Sequence, residues 1–451
     1  MERRASSPGP SKLFLTAIRK TEASLAELSL TDESVLTDDF LRQLINVGEV
    51  DILIGVPTHN NAKTVGSIVE TIQTGLLKFF SRQRVAIINA DGGSRDGTPQ
   101  LVVNAAIDDI SRGSKFSTLR TLHSISTQYA NGPARGAALR TILSAAELLR
   151  AKACVVISPE STQITADWLT KLLRPVFTEE FDLVLPTYSR HRFDGILLTN
   201  LLYPMTRALY GLQIREPYAL DFSFSGRLGS QFLAFNSWND DTARDGSEMP
   251  FTVAAIAGDY RICQSFLGTK EHTQWSSADL VPAIRQTVGA LFASMEPNFS
   301  LWSAKTGSQP ISTTGAEHEQ VLEPLRVNRK RLREMFSSGV AELESVFQSI
   351  LSPSTLAELQ QAARSEEGGS AFGTELWVKT IYEFAAAYHK SVINRDHIIQ
   401  ALAPLFRGRA FAFITENANR SDAEVKANIE TLCLEFERMK PYLLEIWNGA
   451  K

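Results

Sequence analysis

"DILIGVPTHNNAKTVGSIVETIQTGLLKFFSRQRVAIINADGGSRDGT", Asp51 to Thr98, holds the pattern on which the fold turns. An apolar run (DILIGVP) leads into a stretch with apolar residues at helical spacing (NNAKTVGSIVETIQTGLL). A second apolar run (RVAIINA) follows and ends in a glycine turn. Short apolar runs alternating with amphipathic helices predict an α/β protein with a parallel sheet. Sites on such sheets lie at the C-terminal ends of the strands.

The alternation continues outward from this stretch. PQLVVNAAIDDI and GAALRTILSAAELL are predicted helices, and ACVVIS, Ala153 to Ser158, is a third buried strand. Upstream, Phe14 to Val47 carries patches of helical spacing, with Thr31 or Thr37 as helix caps. Beyond Ser276 the strand signal fades, and three long segments are helical by period, separated by stretches such as SEEGGSAFG. The division expected is a helical extension over 1–48, an α/β domain over 49–275 and a helical domain over 276–451. Leu343, Val346, Phe347, Ile350 and Leu351 predict an apolar helix surface, buried against the α/β domain or in a homodimer.

Composition removes several classes of function. The 451 residues are 43% hydrophobic and 21% charged, as in a globular protein, and a formal charge of −4 gives no reason to expect nucleic acid as a partner. Three scattered cysteines make neither a disulfide framework nor a zinc cluster. No apolar run is long enough to be a transmembrane segment, and the N-terminus does not read as a signal peptide. A cytoplasmic protein with reduced thiols is expected.

The strand ends carry the chemistry. Pro57 and Thr58 end the first strand. Asn60 and Asn61 are placed to cap the helix behind it, where open backbone N–H groups offer a seat for a phosphate. Asp91 ends the second strand at an exposed tip, before a Gly92-Gly93 turn suited to positive φ, and can accept hydrogen bonds from a base or ribose. The third strand ends in Ser158-Pro159-Glu160-Ser161, with a single carboxylate.

The pairing of PTHN with DGGSRDGT on successive strands resembles the nucleotide-sugar half of GT-A glycosyltransferases of the family-2 type. NGPARGAALRTIL, VVISPESTQITADWLTKLLRPV, YPMTRALYG, DFSFSGRL and SFLGTKEH extend the resemblance from Asp51 to about Thr273. It is nearest to the subgroup that makes glucosyl- or mannosylglycerate and their 3-phosphoglycerate analogues. The resemblance implies that Thr58 and Asp91 hold base and ribose, that Pro57 and Asn60 line the same seat, and that Arg135 contacts phosphate. Ser158 and Glu160 stand where the family has Asp-x-Asp, so Glu160 and His272 become the ligands of one Mg²⁺ or Mn²⁺ ion. An aspartate restored at 158 would tighten that metal site. Glu248, with Asp245 as its rival, matches the acidic residue near the transferred sugar, and Asp221 the loop at the sugar hydroxyls. Thr199, Asn200 and Arg192 fall where the acceptor binds. The implied reaction is hexose transfer to a small hydroxy acid such as glycerate or 3-phosphoglycerate, with UDP-glucose favoured as donor, GDP-mannose next, and the anomeric configuration retained. The alternative is a catalytically weakened nucleotide-sugar-binding regulatory protein, to which the incomplete Asp-x-Asp points.

Overall fold

The three apolar runs marked in the sequence form the middle of one sheet in a computed structural model, which describes residues 36–111, 119–125, 135–235, 248–270, 280–315, 327–365 and 372–449. These are β1 (Ile52–Thr58), β2 (Val85–Asp91) and β4 (Ala153–Val156). Five more strands complete the sheet: β3 (Leu119–Ile125), β5 (Leu183–Ser189), β6 (Phe222–Ser225), β7 (Ile262–Thr269) and β8 (Thr313–Thr314). Their order is β3-β2-β1-β4-β6-β5-β7-β8, and only β6 runs antiparallel to its neighbours. The expected mixture of α/β sheet and helical C-terminal region is what the structure shows.

The central strands are apolar on both faces because helices cover both faces. Ile52, Ile54 and Val56 pack with the helices Val65–Phe79 and Ala166–Glu179, while Leu53, Ala86 and Ile88 pack with the helix Arg135–Leu148. That last helix lies so close to β1 that a Cβ at Gly55 would meet Ile142 at 2.6 Å. Upstream, Thr37 caps the helix Asp38–Val47, as one of the two expected cap residues, and Phe40 and Leu44 join the core of the sheet.

The antiparallel strand decides the geometry of the functional edge. Val156 at the end of β4 pairs with Phe222 at the start of β6. The residue before β6, Asp221, therefore reaches the edge where β1, β2 and β4 end.

The C-terminal helices are docked on the α/β region, which is one of the two outcomes expected for their apolar surface. Phe347, Ile350 and Leu351 are buried in a core shared with Leu201, Met205, Leu209 and Met249, and Leu343 and Val346 pack against it. The chain past residue 275 also returns to the sheet as β8, which pairs with β7. Polar groups lock this contact. Arg207, 3% exposed, donates to Glu430 at 2.7 Å and Glu437 at 2.7 Å, and the Lys440 ammonium donates to the Ala208 carbonyl at 2.8 Å. Arg207→Ala is expected to lower the unfolding free energy by about 3 kcal/mol, because it removes the cation paired with the mostly buried Glu437 carboxylate, which keeps the Ser308 hydroxyl. Chemical denaturation of both proteins measures the difference.

All three cysteines are free and buried, and burial pushes the thiols of Cys263 and Cys433 up to about 12. Among the described residues no helix is long and apolar enough to cross a membrane.

Candidate functional site

The tips of β1 and β2 lie side by side, with Thr58 opposite Asp91. The Asp91 carboxylate accepts the Thr58 hydroxyl at 2.8 Å, the Ser94 hydroxyl at 2.6 Å, and the amides of Gly93 and Ser94 at 2.9 and 2.8 Å. Asn89 Nδ2 donates to Thr58 Oγ1 at 2.9 Å and holds that hydroxyl from the other side. Asp91 is only 1% exposed, which corrects the expectation of an exposed tip. A short carboxylate at a glycine turn satisfies the turn's own amides first, because they are its nearest donors. Of the two turn glycines it is Gly93 that takes positive φ, at 80°, as does Gly97 at 89°.

The phosphate seat expected after β1 is likewise filled from within the protein. The amides of Asn60, Asn61 and Ala62 donate to Ser94 Oγ, Thr98 Oγ1 and Asp96 Oδ2 at 2.8, 2.8 and 2.9 Å. A hydrogen bond from the Thr98 hydroxyl, followed by one from the Ala62 amide, lowers the Asp96 pKa from its ordinary value. Asn60 adopts φ 55°, a conformation asparagine tolerates, and its side-chain oxygen accepts the Arg95 amide. The helix begins later than expected, with Thr64 rather than Asn60 or Asn61 at its cap position. The Thr64 hydroxyl donates to the Pro159 carbonyl at 2.6 Å, tying this helix to the turn after β4. Pro57 stays within β1, half-buried.

That turn is held from its far side by Asp221. Its carboxylate accepts the Ser158 amide at 2.9 Å, the Ser161 hydroxyl at 2.7 Å and the Tyr188 hydroxyl at 3.0 Å, and it faces the Lys270 ammonium at 3.5 Å. Asp221, expected at the sugar hydroxyls, is 1% exposed, and its oxygens accept hydrogen bonds from the protein itself. Burial, reinforced by Asp221 and Glu216, pushes the Tyr188 hydroxyl far above its ordinary pKa and keeps it a proton donor. Ser158 is buried, and its hydroxyl accepts the Glu160 amide at 3.3 Å. Glu160 itself is exposed, the one carboxylate of the turn that faces solvent.

Arg135 and Glu248 meet beside this turn. Each is the first residue of its helix, and the Arg135 Nε lies 2.6 Å from Glu248 Oε1. Burial works against the guanidinium's charge, but Glu248, Tyr218 and Glu160 outweigh it and raise the pKa of Arg135. Glu248 is 6% exposed, and its second oxygen is buried with no hydrogen-bond partner among the described residues. The helix N-terminus favours the negative charge there.

The acceptor residues divide. Asn200 is fully buried: its side-chain oxygen accepts Arg409 Nε at 3.0 Å and its carbonyl accepts the Trp377 indole at 2.7 Å. The C-terminal helices thus cover Asn200, one of the residues expected at the acceptor. Arg192 turns towards the same helices, donating to the Arg420 carbonyl. Thr199 remains partly exposed on the five-residue π-helical turn Leu198–Leu202, a feature frequent near functional sites. His272 and Asp245 lie outside the described residues. Lys270 and Tyr188 were not foreseen. A lysine and a tyrosine at strand ends have no local signature, and only the sheet order brings them to Asp221.

Among the described residues no three His, Cys, Asp or Glu side chains are grouped to hold a metal ion.

No protein-family model matches the chain, and no curated protein matches it. Solved structures do. Glucosyl-3-phosphoglycerate synthase from Mycobacterium tuberculosis in complex with Mn²⁺, UDP and glucosyl-3-phosphoglycerate is 18% identical with a TM-score of 0.41, over 60% of this chain and 86% of that one. The same enzyme with Mg²⁺ and UDP is 18% identical with a TM-score of 0.42, over 58% and 83%. With Mn²⁺, UDP-glucose and glycerol 3-phosphate the values are 17% and 0.40, over 62% and 94%. The correspondence is distant.

Proposed function

We propose that the chain is a GT-A glycosyltransferase that moves a hexose from a nucleoside diphosphate sugar to a small hydroxy acid such as glycerate or 3-phosphoglycerate. UDP-glucose is favoured over GDP-mannose as donor, and the anomeric configuration is retained. One observation carries this reading. The C-terminal edge of the sheet gathers Glu160, Arg135 and Glu248, and among the described residues no donor reaches the second, buried oxygen of Glu248. Such an oxygen costs about 1–3 kcal/mol unless a ligand satisfies it, and a sugar hydroxyl is a ligand of the right kind.

Each residue then has a task. Arg135, fixed by Glu248, donates to a phosphate oxygen and stabilises charge that grows as the sugar–phosphate bond breaks. Glu248 orients the sugar through its free oxygen. The Asn89–Thr58–Asp91 chain holds a rigid rim for base and ribose, with Thr58 as the contact and Asp91 as its support.

A divalent cation, Mg²⁺ or Mn²⁺, fits the charges present. Among the described residues the edge carries Glu160, Asp194, Glu216, Asp221 and Glu248 beside Arg135, Arg190 and Lys270, an acidic setting that attracts a cation. Glu160 is the accessible carboxylate and would hold the ion, with His272 as the second protein ligand and phosphate oxygens completing the set. The ion would neutralise charge on the departing diphosphate.

The alternative reading, a nucleotide-sugar-binding regulator, draws on the internal engagement of Asp91 and of the amides after β1. Thermal unfolding with UDP, GDP, UDP-glucose and GDP-mannose, with and without Mn²⁺, is the test. UDP-glucose with Mn²⁺ is expected to give the largest stabilisation, about 2.7 kcal/mol at a hundred times Kd. The absence of a shift with every nucleotide would remove the proposal. A shift without UDP release in the presence of glycerate or 3-phosphoglycerate would favour the regulator.

A further inference from the structure

Lys270 stands at the end of β7, where its amide donates to the Ser189 carbonyl at 3.0 Å. Its side chain is 19% exposed, so most of its length is packed against the protein. An ammonium carries three donors, and burying it is costly unless they are used. Among the described residues its only polar partner is Asp221 Oδ2, at 3.5 Å, long for a charged hydrogen bond. The Tyr188 ring adds a cation–π contact at 4.8 Å.

The neighbouring carboxylates offer little more. Asp221 already accepts from Ser158, Ser161 and Tyr188. Glu216 is taken by Arg190 through contacts of 2.8 and 2.9 Å. What remains is a mostly buried lysine with donors to spare, one carboxylate away from the turn that carries Glu160.

We propose that Lys270 is an anion-binding residue of this edge, positioned by Asp221 and Tyr188, whose ligand is a group of phosphate oxygens. The inference deepens the glycosyltransferase reading and rests on it for the source of that group, which is the donor's diphosphate or the phosphate of a 3-phosphoglycerate-like acceptor. Asp221 is then a positioning residue. By bonding the turn and facing the lysine, it holds the Glu160 carboxylate and the ammonium in fixed relation.

The test is calorimetry on the full chain in EDTA, with UDP, uridine, inorganic pyrophosphate and 3-phosphoglycerate as probes. Lys270→Met is expected to weaken UDP and pyrophosphate binding at least tenfold and leave uridine unchanged, and Lys270→Arg is expected to keep most of the affinity. Loss of 3-phosphoglycerate binding with UDP intact would assign the same cation to the acceptor. Asp221→Asn should reproduce a smaller part of the loss with uridine again unaffected. Unchanged binding of every anion by Lys270→Met would overturn the proposal, as would an equal loss for uridine and UDP, which marks a merely structural lysine. Wild type that binds pyrophosphate but neither uridine, UDP nor GDP would sink the nucleotide reading and leave Lys270 standing. Wild type that binds no anion sinks both.

Discussion

Glu160→Gln is expected to lower metal-dependent turnover by about a hundredfold or more, and to leave metal-free UDP binding nearly unchanged. The turn that carries Glu160 is fastened on two sides, by Thr64 to the Pro159 carbonyl and by Asp221 to Ser158 and Ser161. Removing a charge from an exposed side chain will not disturb it. What the substitution removes is the negative charge of the accessible carboxylate that would hold a hard cation. Mn²⁺ titrated into the UDP-bound protein checks the point without reference to turnover: equal binding by wild type and Glu160→Gln would make this turn an ordinary strand end. Ser158→Ala should cost far less, since the Ser158 hydroxyl only receives the Glu160 amide at 3.3 Å. Ser158→Asp, expected to tighten the metal site, adds a second carboxylate to the turn and is read in the same Mn²⁺ titration.

Arg135→Met should have the other large effect, a fall of about a hundred- to a thousandfold in turnover together with a loss of about 3 kcal/mol in stability. The two losses have different causes. Stability falls because Glu248, 6% exposed, loses its 2.6 Å ion-pair partner and keeps an oxygen that had none. Turnover falls because the phosphate loses its donor. The double substitution Arg135→Met with Glu248→Gln separates them, since an uncharged pair no longer strands a buried carboxylate. It should recover most of the stability in denaturant, while its turnover stays well below that of Glu248→Gln alone. Turnover equal to that of Glu248→Gln alone would remove Arg135 from the chemistry and leave it a structural ion pair.

The sheet's centre was legible in the sequence because the forces that shape it are local. β1, β2 and β4 are apolar, β-branched runs followed by helices of clear period, and Thr37 announces its helix by capping it. β5 was not legible. Pro186 interrupts it, which is tolerated because β6 pairs with β5 only at Leu183 and Val184 and a bulge follows at Thr187 and Tyr188. β6 and β8, at four and two residues, are too short to show a period.

The strand-end residues divide by the same rule. That Thr58, Asp91 and Glu160 stand at strand ends follows from where apolar runs stop, which any reader of the chain can find. What each one touches does not. Ser158 meets Asp221 across 63 residues, Arg135 meets Glu248 across 113, and Asn200 meets Arg409 across 209. Periodicity and turn chemistry act over a few neighbouring residues, so sequence alone determined the layers and the edge where a site would form. Hydrogen bonds and ion pairs act between whichever groups the strand order and helix docking bring within about 3 Å. Tertiary structure alone therefore decided that Asp91 and Asp221 are buried and bonded within the protein, that Asn200 is sealed, and that Lys270 faces Asp221.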